Sequence, residues 1–164
     1  MQACFIGHRK IEKKEELTLS LKEIVVSLIN KGVTTFLFGS MSEFDTLSLK
    51  VVSELKKEYP FIKRVYVRSA YQNVSKSYQE YLLKFYEQTY FPPKIEKAGK
   101  YSYVERNYEM IDNSTYCVFY YNENYAPQAN GKLKQDKILM RKSGTKTAYN
   151  YAVRKKKEII NLYK

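Results

Sequence analysis

Residues 34–45 read Thr34-Thr-Phe-Leu-Phe-Gly-Ser-Met-Ser-Glu-Phe-Asp45. The first five residues form an apolar run that is typical of a buried strand, and Gly39 ends it. Ser42 and Asp45 have the spacing of a capping box, and the residues that follow keep a helical pattern as far as Glu58. This stretch therefore predicts a strand, a glycine turn and a helix in direct succession.

The same order of elements extends along the chain in both directions. Strands are expected at 2–6, 62–68, 115–121 and 158–163, and helices at 13–30, 75–87, 102–113 and 144–157. This alternation predicts an α/β fold, a Rossmann-like three-layer sandwich with a mainly parallel central sheet. No linker or repeat interrupts it, so residues 1–164 are predicted to form a single domain. The polar stretch 122–142 has no clear period and is predicted to be a mobile loop.

Composition narrows the class of protein. The chain has 164 residues and a net charge of +12, which favours an anionic partner without specifying its size. No apolar run is long enough for a membrane span, and the N-terminus lacks the features of a signal peptide, so we expect a cytoplasmic protein without membrane contact. Two cysteines and one histidine make a poor metal-binding set, so we predict no metal site.

Three predicted turns lie at the carboxyl edge of the sheet, where parallel α/β folds bind ligands. Gly7, His8 and Arg9 follow the first strand, Gly39 and Ser40 follow the second, and residues 143–145 open the last helix. Backbone amides at a helix N-terminus favour an anion. Each turn also has a plainer interpretation as a surface arginine or a helix cap. The Walker and Gly-x-Gly-x-x-Gly patterns are absent.

Four motifs, taken in order, resemble a known superfamily. They are Cys4-Phe-Ile-Gly-His-Arg9, Phe38-Gly-Ser-Met-Ser-Glu-Phe-Asp45, Glu105-Arg106-Asn107-x-x-Met110-x-x-x-Ser114 and Ser143-Gly144-Thr145-x-Thr147-Ala148. The last two are similar to the second half of the SLOG superfamily, which joins the Smf/DprA DNA-processing proteins and the Lonely Guy phosphoribohydrolases. The first two look more like its YpsA-like branch. Together the resemblances cover nearly the whole chain.

The resemblance implies a pocket for a nucleotide or nucleotide-derived ligand such as AMP, ADP-ribose or NAD. The ligand-binding residues that it implies are Gly7, His8, Arg9, Gly39, Ser40, Asp45, Ser143, Gly144 and Thr145. Asp45 is the expected partner of ribose hydroxyls. Glu105 and Arg106 would face the pocket as the candidate catalytic pair. The Lonely Guy enzymes carry a second glutamate, and Ala148 stands at that position here.

Three functions follow from these patterns. The leading hypothesis is a binding or sensing domain for a small phosphorylated, nucleotide-type ligand. The first alternative is a nucleoside-monophosphate N-glycosidic hydrolase that uses Glu105 as its acid–base group. The second alternative is a nucleic-acid-binding protein of the DNA-processing type, and it ranks lowest because the basic residues are spread along the chain. The resemblance also implies a homo-oligomer.

Overall fold

The computed structural model describes residues 1–69, 73–125 and 143–164. Its strands are β1 (Gln2–Gly7), β2 (Thr35–Phe38), β3 (Lys63–Val67), β4 (Gln88–Tyr90), β5 (Tyr116–Tyr120) and β6 (Glu158–Asn161). Its α-helices are α1 (Lys14–Asn30), α2 (Glu43–Leu55), α3 (Lys76–Leu82), α4 (Ser102–Asp112) and α5 (Gly144–Arg154). Most of the predicted loop over 122–142 lies outside the described residues, from residue 126 onward.

The strands form one six-stranded sheet in the order β4-β3-β2-β1-β5-β6, and each neighbouring pair is parallel. The predicted Rossmann-like sandwich is therefore confirmed. Because the chain adds strands on one side of β1 and then crosses to β5 on the other, the strand order reverses between β1 and β5. All the carboxyl ends lie at one edge, which is where the predicted turns meet.

Side chains alternate between the two faces of the sheet and give each face its own helices. Ala3 and Phe5 pack with α1, α2 and α3, whereas Cys4 and Ile6 pack with α4 and α5. Helix α1 ends where predicted, since Gly32 has a φ of 93° and the Val33 amide donates to Leu28 O at 3.0 Å. Within the described residues, no helix is long and apolar enough to cross a membrane.

The predicted helix over 75–87 was too long. Helix α3 ends at Leu82, and residues 88–90 form β4, a short edge strand that pairs with β3 through Val65–Gln88, Tyr66–Thr89 and Val67–Tyr90. The physical reason lies in Tyr86, which turns into the core beside Phe38 and Tyr66. We infer that helix α3 ends early because this packing of Tyr86 replaces a further helical turn.

Candidate functional site

The turn between β2 and α2 is organised by the carboxylate of Asp45. Asp45 Oδ2 accepts hydrogen bonds from Ser40 Oγ at 2.5 Å and from Ser42 Oγ at 2.6 Å, and Asp45 Oδ1 accepts one from the Ser40 amide at 3.3 Å. Ser42 is the N-cap of α2, because its hydroxyl accepts from the Asp45 amide at 3.0 Å. The expected cap is present, and the buried carboxylate also fixes Ser40 at the mouth of the turn.

The neighbouring residue Glu43 ties the β1–α1 loop to the same helix end. Its carboxylate accepts from Lys10 Nζ at 2.9 Å and from the Ile11 amide at 3.2 Å, and its own amide donates to Arg9 O at 2.9 Å. The bond from Lys10 holds the pKa of Glu43 below its ordinary value. Glu43 therefore positions the loop that carries Arg9, whose side chain is exposed.

His8 lies at the point where the strand order reverses. The Asn122 amide donates to His8 Nε2 at 2.8 Å, and the imidazole stacks on Tyr125 with ring centroids 3.9 Å apart. The ring is only 1% exposed, and this burial lowers the pKa of His8 from 6.5 to about 4. A neutral His8 then carries its proton on Nδ1, which is buried without a hydrogen-bond partner among the described residues.

Arg106 brings a positive charge from α4 to the ends of β2 and β3. Its Nε donates to Asn107 Oδ1 at 3.0 Å, and its Nη1 donates to Ser69 Oγ at 3.4 Å. The side chain is only 6% exposed, and burial lowers the pKa of Arg106 although the charge of Asp45 opposes this shift. In the described part of the chain, no ion pair within 4.0 Å includes Arg106.

The two predicted turn glycines make room for side chains of the protein itself. A Cβ on Gly39 would overlap Arg106 Cδ and lie 2.6 Å from Met110 Sδ. A Cβ on Gly7 would overlap the ring of Phe44. Gly39 is therefore needed for the stem of Arg106 to cross the end of β2, and Gly7 is needed for α2 to pack on β1.

The N-terminus of α5 differs from that of α2 in charge. Ser143 caps α5 by accepting from the Lys146 amide at 3.0 Å, and the first turn carries no acidic side chain. The first turn of α2 already holds two carboxylates, Glu43 and Asp45. The dipole of α2 therefore interacts with acids of its own first turn, whereas the described first turn of α5 contains no acid.

Helix α4 reaches the same region as the α5 N-terminus. A Cβ on Gly144 would lie 3.3 Å from the Tyr103 ring, so the first turns of α4 and α5 are in contact. Glu105 sits in this first turn of α4 and is half-buried, and Thr145 is buried in the first turn of α5. Ala148 is 1% exposed and packs in the core, so this position sends no side chain to the edge.

The structure brings most of the predicted residues into three groups along the carboxyl edge, whereas Gly7 packs against Phe44 and the Arg9 side chain is exposed. Gly39, Ser40, Asp45 and Arg106 lie together at the end of β2, His8 lies with Asn122 and Tyr125 between β1 and β5, and residues 143–145 adjoin the start of α4. Among the described residues, no group of three or more His, Cys, Asp or Glu side chains could hold a metal ion.

Comparison with known families gives one match. A family model described as the YspA SLOG family matches residues 6–158. The chain belongs to this family. A search of curated proteins finds no match to the chain. The match runs from β1 to the first residue of β6, so it includes all three groups of edge residues, and it confirms the resemblance that the motifs predicted. Membership of the SLOG family suggests a nucleotide-related Rossmannoid domain.

Some residues of this YspA SLOG domain could not be recognised as site residues in the sequence. Glu43 stood inside a predicted motif, yet its role depends on a loop 32 residues earlier in the chain. Ser69 lies two residues after β3, and only its position near a strand end could have indicated it. Tyr125 lies five residues after β5, and no sequence pattern indicated its contact with His8. Tyr66 is in register with Phe38 on the neighbouring strand, and its place beside the Arg106 group follows from that pairing.

Proposed function

We propose that this domain binds a nucleotide or nucleotide-derived ligand at the carboxyl edge of its sheet, with the ligand's phosphate held by Arg106. The observation that carries the proposal is the state of the Arg106 guanidinium. It is buried, and no ion pair within 4.0 Å reaches it in the part of the chain that the structure describes.

Such a guanidinium is costly to bury. Removing a charged group from water costs several kcal/mol unless a partner compensates for it. Arg106 has five N–H donors, and its described hydrogen bonds use Nε and Nη1, the second of them at 3.4 Å. A planar guanidinium binds phosphate through two parallel hydrogen bonds, so an anionic ligand would supply the missing partner.

The surrounding residues support the same assignment. Asn107 and Gly39 hold the Arg106 side chain in one orientation, and Asp45 holds Ser40 beside it. The first turn of α5 offers amides and Thr145 without a competing carboxylate. Asp45 already accepts three hydrogen bonds from Ser40 and Ser42, so we assign it first to holding the turn and second to accepting ribose hydroxyls.

Binding, rather than hydrolysis, is the activity that we propose. The Lonely Guy enzymes use two glutamates, and the position of the second is Ala148, which is buried in the core. Glu105 alone would have to supply both the acid and the base.

We also propose a cytoplasmic location, since Cys4 and Cys117 are neighbours in register and both are free thiols. A homo-oligomer remains a prediction, and nucleic acid remains the weaker alternative partner.

Isothermal titration calorimetry with AMP, ADP-ribose and NAD tests the proposal. We expect at least one of them to bind the wild-type domain and to bind Arg106→Met at least tenfold more weakly. Arg64→Met is the matched control, because Arg64 is a half-buried arginine that pairs with Glu87 Oε1 at 2.6 Å, away from the site. Equal affinities in wild type and Arg106→Met, or no binding of any of the three ligands, would refute the proposal.

A further inference from the structure

Three aromatic side chains on and after α3 form a strip that is exposed to solvent. Tyr78, Tyr81 and Phe85 are 39%, 47% and 44% exposed. The rings of Tyr78 and Tyr81 are nearly parallel with centroids 6.4 Å apart, and Phe85 meets Tyr81 edge-on at 5.3 Å. We call these three residues the α3 strip.

The position of the α3 strip is maintained by few buried contacts. Leu82 is the buried residue of α3, and the other six residues of the helix are exposed. Aromatic rings grouped on a soluble surface mark a binding site more often than isolated ones do. The strip is therefore a candidate binding surface, and its neighbours indicate which ligand group it fits.

Tyr66 lies between the α3 strip and the residues at the end of β2, which are Gly39, Ser40, Asp45 and Arg106. Tyr66 pairs in register with Phe38, the residue before Gly39, and Arg106 crosses Gly39 to reach Ser69 just beyond β3. Burial raises the pKa of Tyr66, the phenol of Tyr78 raises it further, and the charge of Arg106 lowers it. Tyr66 thus lies within the influence of Tyr78 on one side and of Arg106 on the other.

We propose that the ring of Tyr78 stacks on the base of the ligand whose phosphate Arg106 holds, so that the site selects phosphorylated ligands that carry an aromatic base. The inference rests on the proposed function. Tyr81 lies nearly parallel to the ring of Tyr78, and Phe85 packs edge-on against Tyr81, so the strip holds the ring of Tyr78 in place. Stacking on an aromatic side chain tolerates any base, because every base has a π-face. The selection is therefore for the presence of a base and not for its identity.

The experiment compares AMP with ribose 5-phosphate, which carries the same phosphate and sugar without the base. By calorimetry, we expect the wild-type domain to bind AMP about tenfold more tightly than ribose 5-phosphate, within the range known for base–aromatic stacking. Tyr78→Ala should remove this preference and leave the affinity for ribose 5-phosphate unchanged. Tyr78→Phe keeps the ring and should keep the preference.

Phe61→Ala is the control variant. Phe61 is 56% exposed and contacts Tyr59 just before β3 begins, at the opposite edge of the sheet. It should bind both ligands as the wild type does. Since Tyr78 is partly exposed, each variant should fold, and circular dichroism checks this directly.

The outcomes separate the inference from the proposed function. Equal affinity of the wild type for AMP and ribose 5-phosphate would overturn the base-stacking inference and leave phosphate binding by Arg106 intact. An equal loss of both ligands in Tyr78→Ala, or a change of its oligomeric state in analytical ultracentrifugation, would also overturn the inference, because Tyr78 would then be structural or part of an interface. Binding of neither ligand would contradict the proposed function itself.

Discussion

Replacement of Arg106 by methionine should stabilise the folded domain while it removes ligand binding. Met has a similar length, so it can follow the path of the arginine stem across Gly39 without a large cavity. The substitution recovers the desolvation cost of a buried cation, which is several kcal/mol per ion. The substitution also removes the hydrogen bonds to Asn107 and Ser69, at 3.0 Å and 3.4 Å, and the attraction of Asp45. These losses reduce the gain in stability.

The net expected gain in the free energy of unfolding is about 1 kcal/mol without ligand, since the recovered desolvation of several kcal/mol exceeds the loss of two hydrogen bonds and of the attraction of Asp45. Asp45 is not left unpaired, because Ser40 and Ser42 continue to donate to it. Arg64→Met should have the opposite sign. Arg64 donates to Glu87 through Nη2 at 2.6 Å and through Nε at 3.2 Å, so its removal should cost about 1.5–3 kcal/mol.

Urea unfolding at pH 7 measures both variants beside the wild type. A ligand at 100 times its Kd should add about 2.7 kcal/mol to the wild type and nothing to Arg106→Met, so that the order of stability reverses. A loss of more than about 1 kcal/mol in ligand-free Arg106→Met, with an unchanged m value, would show that Arg106 is a structural residue and that the reasoning is wrong.

Three further predictions concern neighbouring residues. Gly39→Ala should displace the Arg106 stem, lowering stability by about 1–3 kcal/mol in urea unfolding and weakening AMP binding in calorimetry; wild-type behaviour in both would contradict the assigned packing. The unfolded chain protonates His8 near pH 6.5 and the folded chain only near 4, so stability is unaffected above pH 6.5 and falls by up to about 3 kcal/mol as the pH decreases towards 4. His8→Asn should lack this part of the pH dependence, and a curve parallel to the wild type would disprove the assignment. Finally, incubation with AMP followed by chromatography should yield no free adenine, and release that Glu105→Gln abolishes would establish a hydrolase instead.

Most of the fold could be predicted because its strands are buried on both faces. β1, β2 and β5 appear as continuous apolar runs, and glycines end the first two. β4 gave no comparable pattern, since it has three residues, lies at the sheet edge and is only half-buried. The end of α3 could not be located either, because it depends on Tyr86 packing against Phe38 and Tyr66 from other strands.

The location of the candidate site at the carboxyl edge of the sheet could be predicted, but its side-chain contacts could not. The turns after the predicted strands placed His8 and Ser40 at one edge, the resemblance implied Arg106 there, and the structure has all three at that edge. The sequence could not indicate that Gly39 accommodates Arg106, since that contact joins α4 to β2 across 67 positions of the chain. Nor could it indicate that Tyr125 would stack on His8, because a turn after β5 decides that contact.

A crystal structure of the domain with AMP tests the central claim most directly. The account predicts phosphate oxygens within hydrogen-bond distance of the Arg106 guanidinium above Gly39, at the ends of β2 and β3. Phosphate bound elsewhere, with Arg106 still donating only to Asn107 and Ser69, would contradict it.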